Sequence, residues 1–372
     1  MTKAATMNVA FRADASLDIG IGHVMRCLTL ADALREHGAN CHFICREHPG
    51  HQLDQIRQRG FSAHALPCCK PAERTNDETG ALQPAHAHWL GSDWQTDARH
   101  TGDILAELQP DWLAVDHYAL DTRWERALEG HYKKLLVIDD LADRPHICDV
   151  LLDQNLGREA KDYAALVPDH CTVLAGPHYA LLRPEFAALR EYSLRRRDVP
   201  TLKRILITMG GVDQPNATGK VLEALKVCPL PHDCRITVVM GAQAPWLEQV
   251  RALAATLPWP TEVRVAISDM AQVMADSDLA IGAAGSTSWE RCCLGIPTLM
   301  VVLAENQWAG ARALQAQGAA LLLGEPADIE QQLADTLTSF TTGELAEMSL
   351  AARAVTNGLG TYHVAQRMGR QS

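Results

Sequence analysis

A glycine-bearing loop near the start of the chain has the residue types of a catalytic loop. In residues 12–26, Gly20 and Gly22 stand two positions apart and His23 follows at once. Glycines let the backbone turn tightly and approach a ligand, and the free N–H groups of a helix N-terminus attract an anion or a polar sugar. The positive end of the helix dipole favours a neutral imidazole, which suits His23 to act as a general base. A glycine turn followed by a histidine that only caps or packs the helix fits the same residues.

A second loop, residues 282–290, follows a predicted strand and opens a predicted helix. Its hydroxyl residues Ser286, Thr287 and Ser288, together with the N–H groups of the helix start, could bind a phosphate. Glu290, about one turn into the helix, could accept two hydrogen bonds from a ribose diol. Thr287 and Glu290 also have the spacing of a capping box, which is the alternative interpretation.

Glycine and amide residues follow two further predicted strands in the second half. Gly210 and Gly211 end the first of these strands, where a doubly wound sheet places its ligand loop. Asn306 and Gln307 follow a later strand and carry amides that could hydrogen-bond a sugar or a pyrophosphate. An ordinary turn from strand to helix would also explain Gly210 and Gly211.

Carboxylates end two predicted strands in the first half. Asp116 stands at one such end, followed by Tyr118, and Asp139 and Asp140 stand at another. Paired carboxylates can bind a divalent metal or share a proton. Since neighbouring side chains in a strand face opposite ways, a metal site is the weaker interpretation of Asp139 and Asp140. The three arginines at 195–197 are interpreted as a solvated linker face rather than a phosphate site.

The composition is that of an ordinary globular chain. Its 372 residues are 47% hydrophobic and 21% charged, which excludes a disordered or collagen-like protein and allows two domains of about 150 residues each. The formal net charge of −11 disfavours nonspecific binding to nucleic acid or to an anionic membrane. The longest apolar runs have the length of strands, far short of the roughly 20 residues that span a bilayer. We therefore expect no nucleic-acid partner and no membrane span.

The cysteines indicate a reducing environment. There are 11, an odd number, and several lie in apolar segments, where a reduced core thiol is the usual state. The adjacent pairs at 68–69 and 292–293 lack the spacing of metal ligands. With no charged and then apolar signal peptide at the start, these residues predict a cytoplasmic protein without a structural metal.

Short apolar runs alternate with helical stretches, which predicts an α/β protein with two doubly wound, Rossmann-like parallel sheets. The predicted strands are 8–12, 41–46, 112–116, 134–139, 150–153 and 172–175 in the first half, and 204–209, 235–240, 262–267, 278–281 and 298–303 in the second. Residues 67–100 form a long irregular insertion. The predicted organisation is an N-terminal domain over 1–191, a polar linker over 192–203, a C-terminal domain over 204–325 and helices over 326–372. We expect a ligand cleft between the two domains, at the carboxyl ends of their strands.

Several motifs follow one another in a specific order: FRAD at 11–14, GIGH at 20–23, VDHY at 115–118, IDD at 138–140, GPHYALLRPEF at 176–186, MGGVD at 209–213 and ENQ at 305–307. Together they resemble the UDP-2,4-diacetamido-2,4,6-trideoxy-β-L-altropyranose hydrolases of bacterial pseudaminic acid biosynthesis. The resemblance covers most of the chain. The long 67–100 insertion departs from the family pattern, although WLG at 89–91 and DA at 97–98 look like longer members, and the helices after about residue 325 are extra.

The resemblance implies a two-domain GT-B fold, similar to the MurG-type glycosyltransferases, with UDP bound chiefly by the C-terminal domain. It places the general base on His23. In the first half it implies substrate-binding positions at Asp14, Gly20, Gly22, Tyr118 and Arg183. In the second half it implies them at Gly210, Gly211, Ser286, Thr287, Ser288, Glu290, Asn306 and Gln307, with the serine-rich segment near the diphosphate and Glu290 at the ribose.

The activity that the resemblance implies is inverting hydrolysis of a UDP-activated 2,4-diacetamido sugar. Water activated by His23 would displace UDP at the anomeric carbon, and donors near Ser286 would stabilise the departing diphosphate without a metal or another cofactor. A GT-B glycosyltransferase, a hydrolysing epimerase acting on a UDP-amino sugar, and a non-catalytic nucleotide-sugar sensor are the alternatives. UDP release without an acceptor separates hydrolysis from transfer, inversion at C2 marks an epimerase, and a sensor binds UDP without turnover.

Overall fold

The computed structural model describes residues 6–68 and 83–369. The chain divides into two compact units, one holding the residues up to Leu181 and from Gly360 onward, the other holding Leu182–Leu359. Each unit is built on one parallel sheet whose strands alternate with helices. The predicted α/β class with two doubly wound sheets is therefore confirmed.

The first unit contains a sheet of seven parallel strands. In chain order its elements are β1 (Asn8–Ala13), α1 (Gly22–Glu36), β2 (Asn40–Arg46), α2 (Leu53–Gln58), β3 (Ser62–Leu66), α3 (Trp94–Leu108), β4 (Trp112–Asp116), α4 (Thr122–Ala127), β5 (Lys134–Ile138), β6 (Val150–Asp153) and β7 (Thr172–Ala175). The strands lie in the order β3-β2-β1-β4-β5-β6-β7. Ala13 in β1 pairs with Asp116 in β4. The loops after β1 and β4 thus begin side by side at the carboxyl edge of the sheet, where doubly wound folds bind ligands.

The second unit repeats this pattern with six parallel strands. Its elements are α5 (Pro184–Arg196), β8 (Arg204–Thr208), α6 (Ala217–Leu225), β9 (Arg235–Met240), α7 (Leu247–Ala254), β10 (Thr261–Val265), α8 (Met270–Asp276), β11 (Leu279–Ala283), α9 (Thr287–Cys293), β12 (Thr298–Val301), α10 (Trp308–Ala316), β13 (Leu321–Gly324), α11 (Ile329–Ser339) and α12 (Thr342–Val355). The strands lie in the order β10-β9-β8-β11-β12-β13. Thr208 in β8 pairs with Gly282 in β11, so the loops after these two strands are neighbours.

The central strands of both sheets are buried on both faces, as their unbroken apolar sequences predict. Every residue of β4 and of β11 is buried. In the first unit the rings of Phe11 and Phe43 stack with their centroids 4.9 Å apart and share one core with Val24 and Leu28 of α1. Helices on both sides of a parallel sheet explain why these strands show no polar alternation.

The last helix, α13 (Gly360–Gly369), belongs to the first unit and packs against α1. The indole N–H of Trp112 donates to the carbonyl of Met368 at 3.1 Å. A Cβ at Gly360 would lie 2.4 Å from the carbonyl oxygen of Ala180, so only glycine fits where α13 begins. The preceding helices, α11 and α12, belong to the second unit.

Part of the segment predicted as a linker, residues 192–203, is helical. Helix α5 runs through residues 192–196 and lies in the second unit, which begins at Leu182.

The interpretation of the arginines at 195–197 as a solvated face is wrong for two of them. Arg196 donates to Asp278 Oδ1 at 2.6 Å, and Arg197 donates to the carbonyl of Ser277 at 2.6 Å. Both guanidinium groups bind polar groups that follow the end of α8, so they anchor α5 rather than face solvent.

The predicted insertion at 67–100 is partly regular. Residues 69–82, which include Cys69, lie outside the described residues. After them Ala87–Leu90 forms a short 3₁₀ turn, and Asp93 caps α3 by accepting the N–H of Thr96 at 2.7 Å.

Strands β3 and β13 were not predicted. Both are short edge strands with mostly exposed or half-buried residues. Strand β3 reads SAHAL and lacks a continuous apolar run, whereas β13 does contain one, at residues 321–323. The cysteines within 6–68 and 83–369 are free thiols. Over the same ranges, no helix combines the length and the apolar character needed to cross a bilayer.

Candidate active site

The imidazole of His23 is held by Asp116, the last residue of β4. His23 is the second residue of α1, and its Nδ1 lies 2.6 Å from Asp116 Oδ1. Asp116 is fully buried, while the His23 side chain is 10% exposed. Because a carboxylate only accepts hydrogen bonds, Nδ1 carries the proton and Nε2 keeps its lone pair. None of the described residues hydrogen-bonds to Nε2.

Arg26 fixes the Asp116 carboxylate on its other side. Its Nε donates to Oδ2 at 2.6 Å and its Nη2 donates to Oδ1 at 2.7 Å. Burial raises the pKa of Asp116, but the Arg26 guanidinium and His23 outweigh it and hold that pKa well below its usual range. The carboxylate therefore stays ionised. His23 and Arg26 are three residues apart in α1, so they lie on the same face of the helix.

Tyr118 and Asp140 extend this network. The hydroxyl of Tyr118 donates to Asp140 Oδ2 at 2.6 Å, and Arg26 Nη1 donates to the same oxygen at 2.7 Å. Burial and the Asp140 carboxylate raise the pKa of Tyr118 well above its usual range, so its phenol stays neutral. The Tyr118 ring stands edge-on to the imidazole of His23, with the centroids 4.6 Å apart.

Asp139 faces away from its neighbour Asp140, as expected for adjacent residues at a strand end. Its Oδ1 lies 2.9 Å from Arg144 Nη1, and its Oδ2 accepts the hydroxyl of Tyr163 at 3.1 Å. Across residues 6–68 and 83–369, no three His, Cys, Asp or Glu side chains are grouped so as to hold a metal ion.

Gly20 and Gly22 shape the loop that leads to His23. Gly20 has a φ of +78°, which favours glycine, and its N–H donates to the carbonyl of Ser16 at 2.9 Å. The hydroxyl of Ser16 in turn accepts the N–H of Ile19 at 2.9 Å. Gly22 is the first residue of α1. These contacts make the turn that delivers His23 to the end of β4.

Asp14, another predicted substrate-binding residue, lies in the interior of the first unit. It is fully buried and binds Arg12 through two hydrogen bonds of 2.6 and 2.9 Å. It also accepts the N–H of Arg46 at 2.7 Å, and His117 Nε2 lies 3.2 Å from its Oδ2. Asp14 thus contacts Arg12 of β1, Arg46 of β2 and His117, the residue after β4, all within the first unit.

In the second unit, Gly210 and Gly211 form the loop after β8. Gly210 is exposed and has a φ of +87°. A Cβ at Gly241, the residue after β9, would lie 1.9 Å from the carbonyl oxygen of Gly211. The close approach of the two loops therefore requires a glycine at 241. This requirement involves residues 30 positions apart, and the spacing along the chain does not reveal it.

The hydroxyl residues at the start of α9 are not equivalent. Ser286 is exposed, whereas Ser288 is 2% exposed and its hydroxyl accepts from Arg291 Nη2 at 3.0 Å. Thr287 Oγ1 accepts from Arg291 Nη1 at 3.1 Å. The side chain of Ser288 therefore lies in the interior, bound to Arg291. No capping-box hydrogen bond joins Thr287 and Glu290 in this described segment.

Glu290 lies beside Arg183, so the structure brings together two of the predicted residues. Arg183 Nη2 is 4.0 Å from Glu290 Oε1, and Arg183 Nη1 is 2.8 Å from Glu185 Oε1. Burial raises the pKa of Glu290 to about 7, although Arg183 and Arg291 oppose that rise. Glu290 thus changes charge near neutral pH.

Asn306 and Gln307 lie in a short 3₁₀ turn after β12. Asn306 is exposed. Gln307 Oε1 accepts the N–H of Leu303 at 2.9 Å, and its Nε2 lies 3.9 Å from the position of a Cβ at Gly285. Gln307 therefore flanks the loop that contains Ser286, and its amide nitrogen faces that loop.

Three residues of this site were absent from the predicted site residues: Asp116, Arg26 and Trp89. The signal for Asp116 and Arg26 is a histidine and an arginine three positions apart at a helix start, together with an aspartate at the end of another strand. This signal identifies the two residues only once the pairing of β1 with β4 is known. Trp89 comes from the insertion, and its ring stacks on Tyr118 with the centroids 5.7 Å apart and the planes 24° apart.

Comparison with known proteins supports the fold. Residues 204–367 match the family model of the glycosyltransferase family 28 C-terminal domain. The crystal structure of MurG from Acinetobacter baumannii aligns with a TM-score of 0.69 and 20% sequence identity, covering 99% of this chain and 100% of that one. At this identity the likeness shows the fold alone, and it confirms the predicted GT-B class with two Rossmann-like domains.

Two relatives align over most of the chain. One is the UDP-2,4-diacetamido-2,4,6-trideoxy-β-L-altropyranose hydrolase of Campylobacter jejuni, 26% identical over 84% of this chain and 97% of its own length. The other is an uncharacterized protein of Methanocaldococcus jannaschii, 27% identical over 81% of this chain. This chain spans only 56% of the length of the archaeal relative. The resemblance inferred from the motifs is thus confirmed.

Proposed function

We propose that the protein hydrolyses a UDP-activated 2,4-diacetamido-2,4,6-trideoxy sugar of the altropyranose type to UDP and the free sugar. The observation that carries this proposal is the arrangement of His23: Asp116 binds its Nδ1, and no described residue binds its Nε2. An imidazole held in this way is ready to take a proton from water. The likeness to the Campylobacter hydrolase supports the choice of substrate.

In the proposed reaction His23 Nε2 removes a proton from a water molecule as its oxygen attacks the anomeric carbon. The bond between that carbon and the diphosphate oxygen breaks, and UDP leaves with the electron pair. The sugar is released with inverted anomeric configuration. Asp116 stabilises the imidazolium that forms, and Arg26 keeps Asp116 in place.

The second unit would bind the nucleotide. Gly210 and Gly211 would approach the diphosphate, Ser286 and Thr287 would stabilise it as it leaves, and Glu290 would accept hydrogen bonds from the ribose. Support comes from the match of residues 204–367 to the glycosyltransferase family 28 C-terminal domain. The exposed backbone of Gly210 and the exposed side chain of Ser286 are consistent with these roles.

A glycosyltransferase is the second candidate, and the same family match favours it. An acceptor hydroxyl would then replace water at His23, with the same base and the same leaving group. The arrangement of His23, Asp116 and Arg26 serves either nucleophile. The two candidates differ in whether UDP is released when no acceptor is present.

The test is turnover of the purified protein with the UDP-sugar alone. We expect UDP and free sugar in equal amounts, and a loss of about 10²- to 10⁴-fold in kcat for His23→Asn with UDP affinity retained. In ¹⁸O water, early time points should place the label on the anomeric hydroxyl and none in UDP.

The other outcomes identify the alternatives. Turnover only with an added acceptor indicates a transferase, and inversion at C2 in the proton spectrum of the product indicates a hydrolysing epimerase. UDP binding without any turnover indicates a sensor. Label in UDP would show cleavage at phosphorus and would contradict the role of His23.

A further inference from the structure

An aromatic wall stands beside His23, and the proposed reaction gives it no role. The wall consists of Trp89, Tyr118 and His86. The imidazole of His23 lies edge-on to Trp89 with centroids 6.4 Å apart, and His86 lies 4.4 Å from the Trp89 ring. A substrate that reaches Nε2 of His23 therefore comes close to the wall.

Trp89 is held firmly although it belongs to the insertion. Arg46, which is fully buried, donates to the carbonyl of Pro67 and to a carboxylate oxygen of Asp97. One side chain thus binds residues that precede and follow the segment carrying Trp89. Leu90, the next residue, is 2% exposed and anchors the turn in the core. The position of the Trp89 ring is therefore set by buried contacts.

The wall is suited to apolar parts of a sugar. Trp89 is half-buried, so part of its indole is accessible. Small-molecule sites are lined mainly by apolar and aromatic side chains, with a few polar groups to orient the ligand. The proposed substrate has a methyl group where ordinary hexoses carry a hydroxymethyl group, and it has two acetamido methyl groups.

We infer that Trp89 is a specificity-determining residue that packs against the methyl substituent at C5 of the sugar and so selects 6-deoxy sugars. This inference rests on the proposed function, because it needs a nucleotide sugar at His23. An apolar contact of this kind discriminates against an added hydroxyl by about 10- to 100-fold. Removing the indole should therefore remove most of the preference.

The test compares two ligands that differ only at C6: UDP-2-acetamido-2-deoxyglucose and its 6-deoxy counterpart. Their affinities are measured by calorimetry in a His23→Asn background, where turnover is blocked. We expect a preference of about 10-fold or more for the 6-deoxy ligand. Adding Trp89→Ala should reduce the preference to nearly one, and Trp89→Phe should retain most of it. The matched control is Trp94→Phe, at a tryptophan that begins α3 and packs against Arg123.

The outcomes separate this inference from the proposed function. If the 6-deoxy preference is the same with Trp89→Ala, or falls equally with Trp94→Phe, the inference is overturned while nucleotide-sugar binding stands. If neither ligand binds the His23→Asn protein, the inference is overturned, whereas the proposed function is judged separately, by turnover of its own UDP-sugar. Thermal unfolding of each variant, followed by circular dichroism, shows that the compared proteins are folded.

Discussion

Replacing Asp116 with Asn tests how His23 is prepared for catalysis. The Asp116 carboxylate accepts hydrogen bonds from Nδ1 of His23 and from two nitrogens of Arg26, and the thiol of Cys27 donates to it at 3.7 Å. An asparagine side chain has only one acceptor oxygen. If that oxygen takes the Oδ2 position, where it accepts from Arg26 Nε, the amide N–H₂ takes the Oδ1 position, faces Nδ1 of His23 and requires the other tautomer. The proton then sits on Nε2, where no lone pair remains to accept a proton from water.

The size of the effect follows from these contacts. A carboxylate-to-amide change that forces the wrong histidine tautomer lowers kcat by about 10⁴-fold in serine proteases, and general-base catalysis as a whole is worth about 10²- to 10⁴-fold. We therefore expect Asp116→Asn to lower kcat by about 10²- to 10⁴-fold, or about 3 to 5 kcal/mol in the activation barrier. KM should change little because Asp116 is fully buried and does not reach a ligand. Breaking a buried ion pair typically costs about 3 to 5 kcal/mol in stability, and the contact of Arg26 with Asp140 should keep the loss at the lower end.

The assay measures UDP release at saturating substrate, together with thermal unfolding by circular dichroism. The matched control is Glu125→Gln, which breaks another buried histidine–carboxylate pair of the same unit, with His146 Nδ1 2.5 Å from Glu125 Oε1. The control should lose stability but keep its kcat per folded molecule. A wild-type kcat in Asp116→Asn, or an equal loss of kcat in Glu125→Gln, would refute the role of Asp116.

Two further predictions concern the second unit. The pKa of Glu290 is raised to about 7, so its carboxylate forms as the pH rises through 7. The affinity for uridine, measured by calorimetry, should therefore increase from pH 6 to 8 in the wild type. In Glu290→Gln the affinity should not change over this pH range. Uridine is used because a phosphate group itself titrates near pH 6, and a flat wild-type profile would contradict the role of Glu290 at the ribose. Gly241→Ala should destabilise the protein by about 1 to 3 kcal/mol, because its Cβ would meet the carbonyl of Gly211 at 1.9 Å, and it should weaken UDP binding by displacing that loop. The free energy of unfolding of this variant is measured with a denaturant and compared with that of Gly343→Ala, whose Cβ would make only an ordinary van der Waals contact at 3.6 Å. Equal stabilities of the two variants would contradict the close approach of the two loops.

The sequence by itself determined the two sheets and the loops that carry the site. Central parallel strands are covered on both faces, so each appears as a short unbroken apolar run, and β4, β6 and β9 have the predicted bounds. Loops at the carboxyl ends of such strands are the ligand-binding loops of doubly wound sheets. That rule, together with the motif order, was sufficient to select His23, Gly210 and Ser286 as candidates. Strand β3 was not predicted because it reads SAHAL, which contains no unbroken apolar run and has one buried residue.

Only the tertiary structure decided what each polar residue contacts. Asp14 and Asp116 are both aspartates at the end of a β-strand, yet one is enclosed by Arg12 and the other binds His23 from 93 positions away in the chain. Likewise, nothing local marks Trp89 as a neighbour of His23, because the insertion is positioned through the buried side chain of Arg46. The periodicity of apolar residues and the spacing of motifs indicate which helix or strand a residue belongs to and whether it is buried. The partner of a buried charge depends on which strands become neighbours, and that is set by the packing of the whole sheet.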